Sequence, residues 1–279
     1  AVVMVLSAIL AAVIDEVTSI VVMTSYVLSL ARLAQVDPTP LVLASIFATN
    51  LGSGATPIGN PVGVLVAFRA GLSFEEFLRW ALPISLLNVG ILLILSMRFF
   101  EREILALTES LARSYARGEQ RAGRLEARVA SRDALIFLAA LLLLALHHAL
   151  EELLGLEKNT LLLAVPFAFA GLSIVLYPRE AARALRSRVE WPAFMDNVVA
   201  VSLLLPVVQR LGEAGVRVYP LYWALLFSAV IAGNLTPVGS TANIVALGLL
   251  ERQGRRRPSL REWLKCGGGA TLGPLTSSM

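Results

Sequence analysis

One cysteine and two histidines in 279 residues leave almost no soft or imidazole ligands. Cys266 alone makes neither an internal disulfide nor a multi-cysteine metal site, and it does not reveal a redox compartment. Charge is scarce too: 16% of residues are charged, against about 25% in ordinary soluble domains. No Walker-type glycine loop is present, so direct ATP-driven work has no support in the chain. No nucleophile stands with a base partner and no metal-ligand cluster stands out, so no enzyme is expected. A charged leader segment is missing as well. The chain opens directly in the apolar run Ala1 to Ile14, and the charge-free stretch from Cys266 to Met279 stops before it could cross a membrane, so both ends read as truncated.

What remains is apolar. Hydrophobic residues make up 57% of the chain, with a mean hydropathy of +0.73. Formal charge vanishes over Pro38 to Phe68, Trp80 to Met97, Ala134 to Leu150, Thr160 to Tyr177 and Val218 to Leu250. Each run is near or above the roughly 20 residues that a spanning helix needs. One all-α membrane domain is expected, in the cell inner (plasma) membrane with several passes. The net charge of +4 does not point to nucleic acid, because the arginines fall in the loops between apolar runs, where they act as topology signals.

The loop charges set an orientation. Arg98 to Arg132 holds eight arginines against five glutamates, Pro178 to Glu190 four against two, and Glu251 to Lys265 six basic against two acidic residues. All three are predicted cytoplasmic. His147 to Asn159, with three glutamates and one lysine, is predicted to be an external loop, with His147 and His148 exposed in it. The charge-balanced Arg69 to Arg79 is expected outside, one crossing from Arg32. Arginines at 113, 117, 121, 124 and 128 have helical spacing, which suits a solvated or membrane-surface helix.

The chain also repeats itself. Asp15-Glu16-Val17 recurs as Asp196-Asn197-Val198, and Thr56-Pro57-Ile58-Gly59 as Thr236-Pro237-Val238-Gly239; the second motif follows the first by 41 residues in one half and by 40 in the other. Two matched motifs at nearly equal spacing indicate an internal duplication. Each second motif lies in the middle of a charge-free run and is rich in Gly and Pro, poor helix formers. Both runs should therefore break, within Gly52 to Pro61 and again within Gly233 to Gly239. A break in hydrocarbon needs protein or a watery cavity to satisfy the freed backbone. Interrupted helices at matching positions of two halves are a sequence pointer to a transporter site, where half-helix ends meet ions. Asn and Thr side chains would add neutral oxygens for a cation or donors for an anion. Asp15, Glu16 and Asp196, beside apolar sequence, are expected to handle ions or protons, or to cap half-helices.

These letters resemble the ion-transporter superfamily, in the branch with arsenite-efflux permeases, NhaD-type sodium/proton antiporters and the melanosomal P protein. The resemblance rests on Asp15-Glu16-Val17-Thr18, Ala48-Thr49-Asn50-Leu51-Gly52, Thr56 to Pro61, Gly71 to Phe77, Val189-Glu190-Trp191, Asp196-Asn197-Val198 and Gly233 to Asn243. It implies inverted repeats, with re-entrant hairpins at Asp15 and Asp196 facing discontinuous transmembrane helices. The first repeat would be 1–98, the arginine-rich cytoplasmic loop 99–132 and the second repeat 133–279. The tip letters Asp15-Glu16 depart from the family's Asp-Asn. Asp196 follows Trp191 by five residues, which implies that about two segments are missing there.

The expected function is secondary active transport of an inorganic ion or oxyanion by alternating access, by sodium/proton antiport or arsenite-type efflux, with Na+ or H+ as coupling ion and no other cofactor. A non-transporting membrane subunit or decayed fragment is the alternative. Ion and substrate contacts are expected from Asp15, Glu16, Thr18, Asn50, Gly52, Thr56, Gly59 and Asn60 in the first half-site. Asp196, Asn197, Asn234, Thr236, Gly239 and Asn243 would form the second. Asp15 and the Thr56–Asn60 link are expected to share one ion-sized polar pocket, and Asp196 to sit apart from its own link. Membrane lipid is an expected partner, a homodimer stays open, and nucleic acid is not expected. The topology has a direct check: cysteines placed at Gly118 and Gly254 should react with a membrane-impermeant thiol reagent from the same side.

Overall fold

The computed structural model describes residues 1–99, 101, 105, 109–110, 143, 146–157, 160–176, 178–179 and 197–268. The expectations for 99–132, for 178–190 and for Asp196 thus fall largely or wholly outside the described residues. Those residues form helices joined by short turns, with no strand among them.

Helices α1 (Val2–Val13) and α2 (Glu16–Ala34) fold back on each other at Ile14 and Asp15. Asp15 starts α2 as its cap: its backbone is extended and its Oδ1 accepts the Thr18 N–H at 2.8 Å, one of the donors that a helix start leaves open. Helix α3 (Thr39–Ser53) then stops, and α4 (Pro61–Ala70) resumes after a non-helical link. The restart is written locally, with Asn60 as cap and Pro61 at the first helical position. Gly71, at φ +65°, ends α4. A Ser73–Glu76 capping box opens α5, which runs through Phe74–Glu76, a π-turn over Phe77–Ala81 and Leu82–Phe99. After α6 (His147–Leu154) and α7 (Thr160–Leu176) come α8 (Asn197–Glu213), α9 (Tyr219–Ala232), α10 (Thr241–Arg252) and α11 (260–268).

Both expected breaks are present: α3 and α4 are separated, and so are α9 and α10. Glycine is required in both links because the chain doubles back on the helix it has just left. A Cβ on Gly59 would lie 2.1 Å from the Ser53 carbonyl oxygen, and one on Gly239 2.7 Å from that of Gly233. By length and composition, Glu16–Ala34 and Phe74–Arg98 could each cross a membrane.

The packing has a reciprocal pattern. Helix α2 lies on α10 and α8 on α4; α3 also touches α10, and α9 touches α4; α2 packs on its neighbour α3, and α8 on α9. Helix α1 has its largest contact with α3, where a Cβ on Gly52 would meet the Ala8 backbone at 2.4 Å. Exposure differs in consequence. Gly52, Ala55 and Thr56 are buried beside α1, whereas Ala232, Leu235 and Thr236, their counterparts in the second half, are exposed. Val238 is 66% exposed.

One expectation is corrected. The connection His147 to Asn159, expected to be a loop, is helical over His147–Leu154 and ends on Gly155 in the left-handed region. Glu151 is 1% exposed, and its Oε1 accepts the Leu161 N–H at 2.7 Å. A residue counted as a loop charge therefore closes the start of α7, a cap written across ten residues that local charge counting does not see.

The close approaches predict an ordering of glycine substitutions. Gly52→Ala and Gly59→Ala should each destabilise by about 1–3 kcal/mol, because the added methyl overpacks backbone rather than a yielding side chain. Gly90→Ala and Gly248→Ala, with open space around both and a helical backbone, should be neutral or slightly stabilising. Thermal unfolding of the four variants in one detergent would measure this.

Candidate functional site

The two helix breaks are closed by asparagines and serines. In the second, Asn243 on the first turn of α10 donates its Nδ2 hydrogens back to the Gly233 carbonyl at 2.7 Å and the Thr236 carbonyl at 2.9 Å. Ser240 caps α10 by accepting the Ala242 N–H. In the first, Asn60 Oδ1 accepts the Gly63 N–H at 2.7 Å while its Nδ2 donates to Ser53 Oγ at 2.9 Å. The Ser53 hydroxyl donates to the Asn50 carbonyl at 2.8 Å. Backbone groups freed by the breaks thus find partners inside the protein, as a low-dielectric interior requires.

The breaks are joined to each other through Asn50. Its Nδ2 donates to Asn234 Oδ1 at 2.8 Å and to Asn243 Oδ1 at 2.9 Å, and its Oδ1 accepts the Ser240 hydroxyl at 3.0 Å. Asn50 is 2% exposed, and Asn234 and Asn243 are both 0% exposed. The sequence expectation grouped Asn50 with Thr56 and Asn60 in the first half-site. Its side chain instead belongs to the second break, because α3 packs against α10 and carries the amide across that contact. Asn234 Nδ2 and the hydroxyl of Thr49, the residue beside Asn50, are buried without a hydrogen-bond partner. The Asn234 carbonyl accepts the Trp263 indole N–H at 2.9 Å, and Trp263 meets Phe47 edge-on at 5.4 Å. Helix α11 therefore seals the second break.

The carboxylates lie at a separate feature. A cavity of 610 Å³ is lined by Asp15, Glu16 and Asn60, by apolar side chains of α4 such as Val64 and Phe68, and by Val198 and Ser202 of α8. No lysine or arginine is among its lining residues. Glu16 is 3% exposed; its N–H donates to the Gly59 carbonyl at 2.9 Å, tying the α1–α2 turn to the first link. Glu16 Oε2 and Ser53 Oγ are 3.5 Å apart. The expected ion-sized polar pocket is corrected in two respects: the cavity is larger and mostly apolar, and Thr56 is not on its wall. The Thr56 hydroxyl instead donates to the Ala12 carbonyl at 2.6 Å.

The remaining predicted residues serve the frame. Thr18 gives its N–H to Asp15, and its side chain is exposed. Gly52, Gly59 and Gly239 permit close approach of backbone. Asn197 opens α8 and donates to the Ala229 carbonyl at 3.3 Å. Thr236 is exposed, and its carbonyl accepts from Asn243. Sequence reasoning passed over Ser53 and Trp263. Ser53 precedes a Gly-rich link, a signal that could have marked it, but nothing local marks Trp263.

The family model described as "Citrate transporter" (CitMHS) matches residues 1–193 and 192–273. An uncharacterised transporter of Mycobacterium tuberculosis (strain ATCC 25618 / H37Rv) is 28% identical over 293 residues, covering 87% of this chain and 67% of the relative. A 46 kDa membrane protein of Mycobacterium leprae is 27% identical over 287 residues, with the same coverage of 87% and 67%. A silicon efflux transporter of Oryza sativa subsp. japonica is 36% identical over 100 residues, which is 36% of this chain and 21% of that protein. The chain thus spans 67% of the length of the two mycobacterial relatives. No solved structure matches.

The junction makes a measurable distinction between buried polar groups. Asn50→Ala should destabilise by at least about 1–3 kcal/mol, the cost of one orphaned buried group, since it strands two asparagine oxygens and the Ser240 hydroxyl. Thr24→Val and Ser85→Ala, which remove buried hydroxyls that have no partner, should be neutral or stabilising. Unfolding midpoints in denaturant, compared within this set, would test it.

Proposed function

We propose, for a chain that belongs to the CitMHS citrate-transporter family and is therefore a membrane transporter and not an enzyme, that it carries out secondary active transport by alternating access. The cargo is a small inorganic ion or oxyanion, and a sodium or proton gradient drives it. The observation that carries this reading is the Asn50 amide, which ties the α3–α4 break to the α9–α10 break in a fully buried junction.

Broken helices from two halves, converging on neutral amide and hydroxyl groups, provide donors and acceptors for a small oxygen-rich cargo and expose half-helix ends to it. The reciprocal packing of α2 on α10 and α8 on α4 supports an inverted repeat, with α1–α2 as a re-entrant hairpin and α3–α4 and α9–α10 as discontinuous spans. Two such halves can rock about one junction and open it to either side in turn. Asp15 and Glu16, in a cavity with no basic residue on its wall, favour a cation over an anion at that point. They are therefore assigned to the coupling ion, at the multi-pass plasma-membrane location that the family implies.

A second reading, a membrane subunit that does not transport on its own, is favoured by one observation. The second link is exposed at Ala232, Leu235, Thr236 and Val238 where the first is covered by α1. The division of the family match at 192–193 supports a shortened second repeat at that place.

Reconstitution in liposomes separates the two. Transport predicts sodium- or proton-gradient-driven flux of arsenite, silicate or citrate, and Asp15→Asn should abolish that flux while the protein stays inserted and folded. Gradient-driven flux unchanged in Asp15→Asn would remove the role given to Asp15. No flux from the unmodified chain with any of the three cargoes would favour the subunit reading.

A further inference from the structure

A second pocket, 320 Å³ in volume, lies between the ends of α2 and α10, away from the helix breaks. Its floor is apolar, made by Leu28, Ala31 and Pro38, all buried. Its rim carries Arg32, Gln253 and Arg255. The volume sits within the roughly 300–1,000 Å³ typical of small-molecule pockets.

The rim is arranged for an anion. Arg32 Nη2 donates to Gln253 Oε1 at 2.6 Å, which holds the two elements together and fixes one guanidinium at the mouth. The nearby acids are engaged elsewhere. Glu262 pairs with Arg256 at 2.7 Å, and that guanidinium holds the Glu262 carboxyl down at about 2. Glu251 accepts from Arg257 at 2.8 Å. Asp37 accepts from the Thr39 N–H and hydroxyl at 3.1 and 2.8 Å, turning its carboxylate to the start of α3. No acid is among the lining residues, so the charge at the mouth comes from Arg32 and Arg255.

Helix C-termini would ordinarily oppose an anion here. In α2 the Ala31 and Arg32 carbonyls accept from Val36 and Gln35, and in α10 the Leu250 carbonyl accepts from Arg255 N–H and that of Glu251 from Gly254 N–H. The negative ends are therefore capped by the chain itself.

The geometry points to a phosphate-recognition site whose ligand is the headgroup of an anionic phospholipid. Two guanidiniums and a carboxamide bind phosphate oxygens, with the fork geometry that makes arginine the preferred partner of phosphate. The apolar floor takes the glycerol and the first methylenes, which a free phosphate lacks. The site belongs to the end of the molecule that carries Arg252, Arg255, Arg256, Arg257, Arg261 and Lys265. By the distribution of positive charge this is the cytoplasmic end, where anionic lipids gather and basic pockets between helices hold their headgroups. The inference needs only a membrane protein of this fold, not the proposed transport cycle.

Native mass spectrometry of the full chain, released from detergent with phosphatidylglycerol, with phosphatidylcholine or with inorganic phosphate alone, tests it. The unmodified chain should retain phosphatidylglycerol over phosphatidylcholine. Arg255→Gln, a change on an exposed turn, and the double variant Arg32→Gln/Arg255→Gln should lose that retention by roughly tenfold or more, as expected for a lost charge-assisted contact. Arg261→Gln, which removes one charge from the same end outside the pocket, should leave it unchanged. Equal loss in Arg261→Gln would overturn the site in favour of diffuse charge attraction. Retention unaffected by Arg255→Gln and the double variant would overturn it outright, and saturation by inorganic phosphate without lipid retention would overturn the lipid as ligand.

Discussion

The fold depends on satisfying backbone and amide groups where two helices stop in a buried interior. A helix carries its hydrogen bonds internally, and a break releases several of them at once. Here the chain meets that cost with short side chains placed at the break itself: Asn60 and Ser53 in the first link, Asn243 and Ser240 in the second. Asn50 then converts two local solutions into one network, since its amide has both donors and an acceptor filled by the opposite half. Moving either link without the other would leave buried amides unpaired.

This coupling shapes the chemistry available. Glu16 joins two features of the structure: its N–H fastens the α1–α2 turn to the Gly59 carbonyl, and the residue lines the cavity shared with α4 and α8. From the first link a run of hydrogen bonds passes from Asn60 to Ser53, from Ser53 to the Asn50 carbonyl, and from the Asn50 amide to the second break. Asn234 Nδ2 and Thr49 Oγ1 are buried at this junction without hydrogen-bond partners.

The two halves share a motif but not a covering. In the first, α1 packs against α3 so closely that Gly52 has no room for a Cβ. The corresponding Ala232 in the second half is exposed, and α11 supports that half from elsewhere by setting Trp263 under the Asn234 carbonyl. Repetition in sequence therefore does not confer equal burial. The neighbours of each copy decide which of its polar groups meet protein.

Hydrophobic runs, the Gly-Pro-rich links and their spacing were sufficient to locate the helices around both breaks, since helix-breaking residues and caps act over a few positions. Asp15, Asn60 and Ser240 are local in this sense, each completing a helix start within three residues of itself. The partnership of Asn50 with Asn234 and Asn243, almost 200 residues away in sequence, was not legible, and nor was the closure of α7 by Glu151. Those contacts follow from how α3 meets α10 and how α6 meets α7. Helix packing brings side chains together by geometry in space, and the spacing of letters along the chain carries no record of it.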